Sequence, residues 1–129
     1  LMLSESRDND EKSITYATLK DSSGSVFHIN GEDIELITLD YWKSPKTGAL
    51  YPRKWILSIK KHNILIELES AVLDQELTEA FPPQTIYWEG VATVSGIIND
   101  NYFTEKDDHR AFVELVGYVD VNSIPINKN

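Results

Sequence analysis

The chain contains no cysteine. A disulfide framework, a thiolate nucleophile and a sulfur-ligated metal are therefore excluded, and either redox compartment stays open. Long apolar runs are missing as well: nothing nears the roughly 20 residues that cross a bilayer as a helix, so no membrane span is expected. Positive charge is scarce. Twelve Lys and Arg stand against 21 Asp and Glu, a formal net charge of -9, and a surface of that sign repels phosphate, so nucleic acid is not an expected partner. His28, His62 and His109 lie far apart without ligand spacing, so neither a metal nor a cofactor is expected. Ser95-Gly96 lacks the flanks of a nucleophile elbow, and neither a phosphate-cradling glycine loop nor a basic aromatic patch is present. Helical periodicity is almost absent. Only Asp74 to Phe81, ended by Pro82-Pro83, reads as a helical turn.

What remains is strand pattern. At 129 residues with 41% hydrophobic content, the chain suits one domain with a real core, taken here as residues 1–122 with 123–129 as a tail. The stretch from Ile86 to Ile98 is rich in aromatic and β-branched residues and reads as a long central strand, with Gly90 and Gly96 marking bends or close backbone approach. Ala111 to Val119 can pair with it as a wide hairpin. Leu1 to Ser6, Ser13 to Lys20, Val26 to Ile29 and Ile34 to Trp42 are further strands, with Asp21-Ser22-Ser23-Gly24 as a turn and Asn30-Gly31 as a hairpin signal. Lys54 to Lys60 and Ile64 to Leu68 alternate as a half-buried hairpin that puts Trp55, Leu57, Ile59, Ile64, Ile66 and Leu68 on one side. About eight strands with short turns predict an all-β, antiparallel up-and-down β-barrel of the calycin kind. Its interior would be filled by side chains or just wide enough for one small ligand. The strand-like start at Leu1-Met2-Leu3 reads as a cut within a longer chain or a trimmed end, so the barrel is expected to be incomplete at its N-terminal edge. An open edge of that kind would invite pairing with a second copy.

Five stretches occur in a familiar order: Trp42-Lys43-Ser44-Pro45-Lys46-Thr47-Gly48, Tyr51-Pro52-Arg53-Lys54-Trp55, Asp74-Gln75-Glu76-Leu77, Tyr87-Trp88-Glu89-Gly90 and Phe112-Val113-Glu114-Leu115-Val116-Gly117-Tyr118. Together they resemble the C-terminal half of the carotenoid 1,2-hydratase-like (hydroxyneurosporene synthase-like) family. That family includes bacterial predicted secreted hydrolases, kievitone-hydratase-like proteins and lipocalin-type cyclases. The resemblance implies a lipocalin-like barrel, a small apolar ligand, a preceding barrel of the same kind and a secreted or periplasmic setting. The family's N-terminal barrel has no counterpart in these residues, and acids used for protonation would lie partly outside them.

With that resemblance in view, Glu89 and Glu114 are the candidate catalytic residues. Each sits in an apolar strand beside aromatic side chains. Turned inward, desolvation would raise its carboxyl pKa and make a donor able to protonate an olefin, as hydration or cyclisation of an isoprenoid requires. Turned outward, each is a surface charge, and register decides between the two. Trp42, Tyr51, Trp55, Tyr87, Trp88 and Tyr118 are the candidate ligand-binding residues. They either line a pocket for a flat or polyene ligand or fill the core. Asp74-Gln75-Glu76 reads most simply as a helix cap with acids in the first turn. A third reading makes the chain a packed structural barrel that contacts another domain or copy.

Overall fold

The structure is a computed structural model, and it describes residues 1–7, 13–80 and 85–119. The tail at 123–129 lies outside the described residues. Ten strands and three single 3-10 turns are present among those described. Three strands, β1 (Met2–Arg7), β2 (Ser13–Lys20) and β3 (Val26–Asn30), form an antiparallel sheet in that order. The other seven are β4 (Glu35–Lys43), β5 (Leu50–Ile59), β6 (Ile64–Ser70), β7 (Glu76–Ala80), β8 (Thr85–Ile98), β9 (Asn101–Phe103) and β10 (Arg110–Val116). They make a second sheet with the path β10-β8-β6-β5-β4, while β7 and β9 also pair with β8. The protein is thus all-β and antiparallel, but with ten strands in two sheets rather than eight in one. No pairing joins the two sheets among the described residues. Nor is any helix among them long and apolar enough to cross a membrane.

Strand β8 holds the large sheet together because both of its edges are used twice. Ser70 to Ile64 of β6 pair with Ala92 to Ile98, and β7 takes the same edge at Thr85 to Trp88. On the opposite edge β10 pairs with Tyr87 to Thr93, and β9 with Gly96 to Ile98. The long strand and its wide hairpin with the last strand are therefore as the sequence pattern indicates. Two other expectations are corrected. Asp74 to Ala80 contributes the strand β7 instead of a helical turn, because Leu77 pairs with Tyr87 and the Glu76 side chain is drawn into the interior, while Phe81 and Pro82-Pro83 lie outside the described residues. Asn30-Gly31 is not a hairpin. Gly31 opens a 3-10 turn that carries the chain from the small sheet to the large one. A Cβ on Gly31 would stand 2.6 Å from the carbonyl oxygen of Thr15, so glycine is there for close approach to β2 and not for a hairpin turn.

Alternation along the strands turns one face of each sheet toward the other. Leu3, Ala17, Leu19 and Ile29 from the small sheet pack with Leu57, Ile59, Ile64, Ile66 and Val94 from the large one. Burying each fully enclosed Leu, Ile or Val of this set contributes about 1.5–3 kcal/mol. The β5–β6 hairpin does so in register, with Leu57 opposite Ile66 and Ile59 opposite Ile64. Within the strands of this sheet, one glycine is required by its positive φ. Gly96 has φ +137, and a Cβ there would lie 2.3 Å from the Leu65 carbonyl oxygen. Gly96→Ala is expected to lower stability by about 2–4 kcal/mol through combined strain and backbone displacement, measured by urea denaturation. Gly24→Ala, at φ +90 with open space around it, should cost only about 1 kcal/mol.

Candidate functional site

Four of the six aromatic candidates meet at one end of the molecule. Trp42 on β4 and Tyr51 on β5 are register partners, and their rings stack with centroids 6.1 Å apart. Tyr118, just beyond β10, tilts against Tyr51 at 5.4 Å. Trp88 of β8 joins them, together with Ala49, Val113 and Leu115. Tyr51 is 1% exposed and Trp88 2%, whereas Trp42 and Tyr118 are half-buried at the rim. The Trp88 indole Nε1 donates to the Leu73 carbonyl at 2.6 Å, which fixes the ring's orientation. Trp55 is buried on β5 opposite Thr38 and Leu68, apart from this cluster. Tyr87 points to the other face of β8, because it is adjacent to Trp88 in a strand.

Beneath the cluster lies a carboxylate from Asp74-Gln75-Glu76, a segment expected to be an acidic helix cap. Glu76 opens β7 and is 5% exposed. One of its oxygens accepts from Ser44 Oγ at 2.5 Å. The other accepts from Thr47 Oγ1 at 2.6 Å and from the Tyr51 hydroxyl at 3.0 Å. Charge-assisted bonds of this type are shorter and stronger than neutral ones, as burial of an ionised group demands. The same hydroxyls organise the loop between β4 and β5. Ser44 Oγ accepts from the backbone N–H of Lys46 and Thr47, and Thr47 Oγ1 accepts from that of Ala49. Ser44 and Ala49 close the loop by a backbone bond of 2.8 Å, with Gly48 at φ +77. An exposed ion pair, Lys46 to Asp74 at 2.9 Å, ties the same two segments together at the surface. Burial raises the pKa of the Tyr51 hydroxyl, and its bond to Glu76 raises it further. Burial also raises that of Tyr118, against the opposing charge of Arg7.

Glu89 and Glu114 are brought together, but on the other side of the sheet from this cluster. They are register partners on β8 and β10, on the face opposite Trp88 and Val113. Glu114 is exposed and Glu89 half-buried. The three histidines stay separate: His28 lies beside Thr18, His62 against Phe27 and His109 against Phe103. Two surface depressions of about 320 and 290 Å³ lie elsewhere, one around Leu65, Ser95 and Tyr102 and one around Asp33, Ser58 and Lys61. Neither is lined by the aromatic cluster.

An all-antiparallel domain with a hydroxyl-bound buried glutamate under an aromatic end is the class that fold and site define. The chain belongs to the AttH-like family, whose model matches residues 1–118. No match is found among curated protein sequences. Two solved structures are similar. A candidate AttH protein from Nitrosomonas europaea superposes with a TM-score of 0.70 at 25% identity over 88% of this chain. Kievitone hydratase from Nectria haematococca gives 0.66 at 20% identity over 87%. The match spans 33% of each of those chains, so this chain covers about a third of their length. The resemblance to hydratase-like proteins read from the five motifs stands, and all five supply residues to the aromatic end or to its glutamate: Trp42, Ser44 and Thr47; Tyr51; Glu76; Trp88; and Val113, Leu115 and Tyr118.

Glu76→Gln is expected to destabilise the fold by about 1–3 kcal/mol in chemical denaturation, since the hydroxyl donors lose a charged acceptor. Glu76→Leu should cost more, because it leaves all three hydroxyls unpaired. Alkali tests Tyr51. Its folded-state pKa is raised, so the native state holds the proton more tightly than the unfolded chain. That stability is fully present below the ordinary tyrosine value of about 10 and is lost as pH rises above it. Unfolding midpoints measured across the alkaline range should fall above that value, and fall less steeply in Tyr51→Phe.

Proposed function

We propose that this AttH-like domain binds a small apolar molecule, flat or polyene in shape, at the aromatic end. The observation that supports this most is the convergence of Trp42, Tyr51, Trp88 and Tyr118, with two rings sealed in the interior and two at the rim. Large rigid rings with few rotamers bind apolar surface at small entropic cost. Trp42 and Tyr118 act as the movable rim, and Tyr51 and Trp88 as the fixed floor. Glu76 is a positioning residue. Its oxygens are occupied by the chain's own hydroxyls, so it shapes the β4–β5 loop that carries Trp42 and Tyr51. The two sheets serve as two walls of a lipocalin-like barrel. Kinship with hydratase-like proteins supports an apolar ligand of this kind and a secreted or periplasmic setting.

A second reading is acid-catalysed hydration or cyclisation of an isoprenoid-like olefin, with Glu89 or Glu114 as the proton donor. It would take place on the outer face of β8 and β10, where Tyr87 and Phe112 flank the pair, on the side of the sheet opposite Trp88. A third reading, a packed structural module, is favoured by the way the rings and Glu76 satisfy one another.

Titration with retinol, a polyene alcohol, separates these readings through tryptophan fluorescence. Saturable quenching that weakens by about tenfold in Trp42→Ala, the loss of one buried ring contact, supports the aromatic end. The same titration on Phe112→Ser, a change on the opposite face, should match the unaltered chain. Absence of saturable quenching by retinol favours the structural module.

A further inference from the structure

The outer face of β7, β8 and β10 is ordered in rows. Leu77, Tyr87 and Val116 form one row across the three strands. Glu89 and Glu114 form the next, and Val91 and Phe112 the one after. Phe112 is 68% exposed and Val116 57%, while Leu77 and Val91 are also on the surface. Like charges placed directly opposite in an antiparallel pair destabilise the sheet. At the centre of the same sheet, on β4, β5 and β6, three carboxylates are matched. Asp40 and Glu69 meet Arg53, and Glu67 and Glu69 meet Lys54, at 2.5 to 3.1 Å. Glu89 and Glu114 have no cation within bonding distance among the described residues. The central charges of this sheet are balanced internally, and the pair between two apolar rows is not.

We propose that this face docks a second protein surface that presents an arginine or lysine flanked by apolar side chains. The cation sits between the Glu89 and Glu114 carboxylates, and its flanking side chains cover Val116 with Leu77 on one side and Phe112 with Val91 on the other. A guanidinium can bond both carboxylates at once, which turns a repulsive pair into a bridged one. Charge complementarity selects the occupant. Self-association through this face would bring the same patches together, and with them four carboxylates from two chains that each carry a net charge of -9. The apolar rows supply contact area, and the carboxylates supply register and choice of partner.

The test uses the full chain and two capped peptides that differ at one position. One has an arginine between leucines; the other has citrulline, which keeps the shape and lacks the charge. In nitrogen-labelled spectra the arginine peptide is expected to shift amides of residues 87–91 and 112–116 in a saturable way. Affinity should fall about tenfold for the citrulline peptide and by a similar factor in the Glu89→Gln/Glu114→Gln variant, as for loss of an interfacial charge pair. Both glutamates are surface groups, so the variant should keep the rest of its amide spectrum. Equal binding of the two peptides, shifts at other residues, or no saturable shift overturns the proposal. Sedimentation of the chain alone supplies a further arm: a dimer that is lost in Phe112→Ser assigns the face to a second copy and also overturns it.

Discussion

A carboxylate cannot be left bare in an apolar interior, and the architecture of the aromatic end follows from how Glu76 is satisfied. Desolvating an ionised group costs several kcal/mol even after the surroundings relax. Three hydroxyl donors offset that cost, and they come from one short stretch, Ser44 to Tyr51. A single side chain on β7 therefore fixes both the loop between β4 and β5 and the first ring of β5. Trp42 precedes that loop and Tyr51 follows it, so the stacked pair is positioned by the same contact. Trp88 is fixed from another direction, through its bond to the Leu73 carbonyl three residues before Glu76. Segment 73–76 thus positions rings on three strands.

Strand β8 distributes these duties because its two faces do different things. Trp88, Gly90, Ala92 and Val94 face the interior and are all buried. Gly90 leaves room for its neighbours: a Cβ would stand 2.6 Å from Gln75 Oε1 and 3.0 Å from the Trp88 ring. The interior face is closed by fit. Tyr87, Glu89 and Val91 alternate with those residues and face outward, where β10 adds Phe112, Glu114 and Val116. One strand therefore carries a ring of the proposed ligand site on one side and the proposed docking row on the other. The two cannot compete for the same surface.

Much of this was legible in the sequence, for reasons that can be stated residue by residue. Period-two alternation from Trp55 to Ile59 and from Ile64 to Leu68 reports burial directly, and the hairpin has the faces it predicts. The length and composition of Ile86 to Ile98 mark the central strand. The glutamates at 89 and 114 stand out as charges in apolar strands, but which face they take depends on register, which pairing alone reveals. Asn30-Gly31 carries a local hairpin signal that tertiary contact overrides, since Gly31 is needed against the β2 backbone. Glu76 was hidden most completely. Its partners lie 25 to 32 residues away, and Asp74-Gln75-Glu76 looks locally like the acidic start of a helix. Only the assembled sheet shows that its carboxylate enters the interior.

The central claim is that Glu76 and the hydroxyls of the β4–β5 loop act as one unit. A double-mutant cycle between Glu76→Gln and Ser44→Ala, read by urea denaturation, tests it most directly. A coupling energy of about 1 kcal/mol or more is expected, as for partners in one buried network. Losses that add within about 0.3 kcal/mol, as for independent sites, would contradict it.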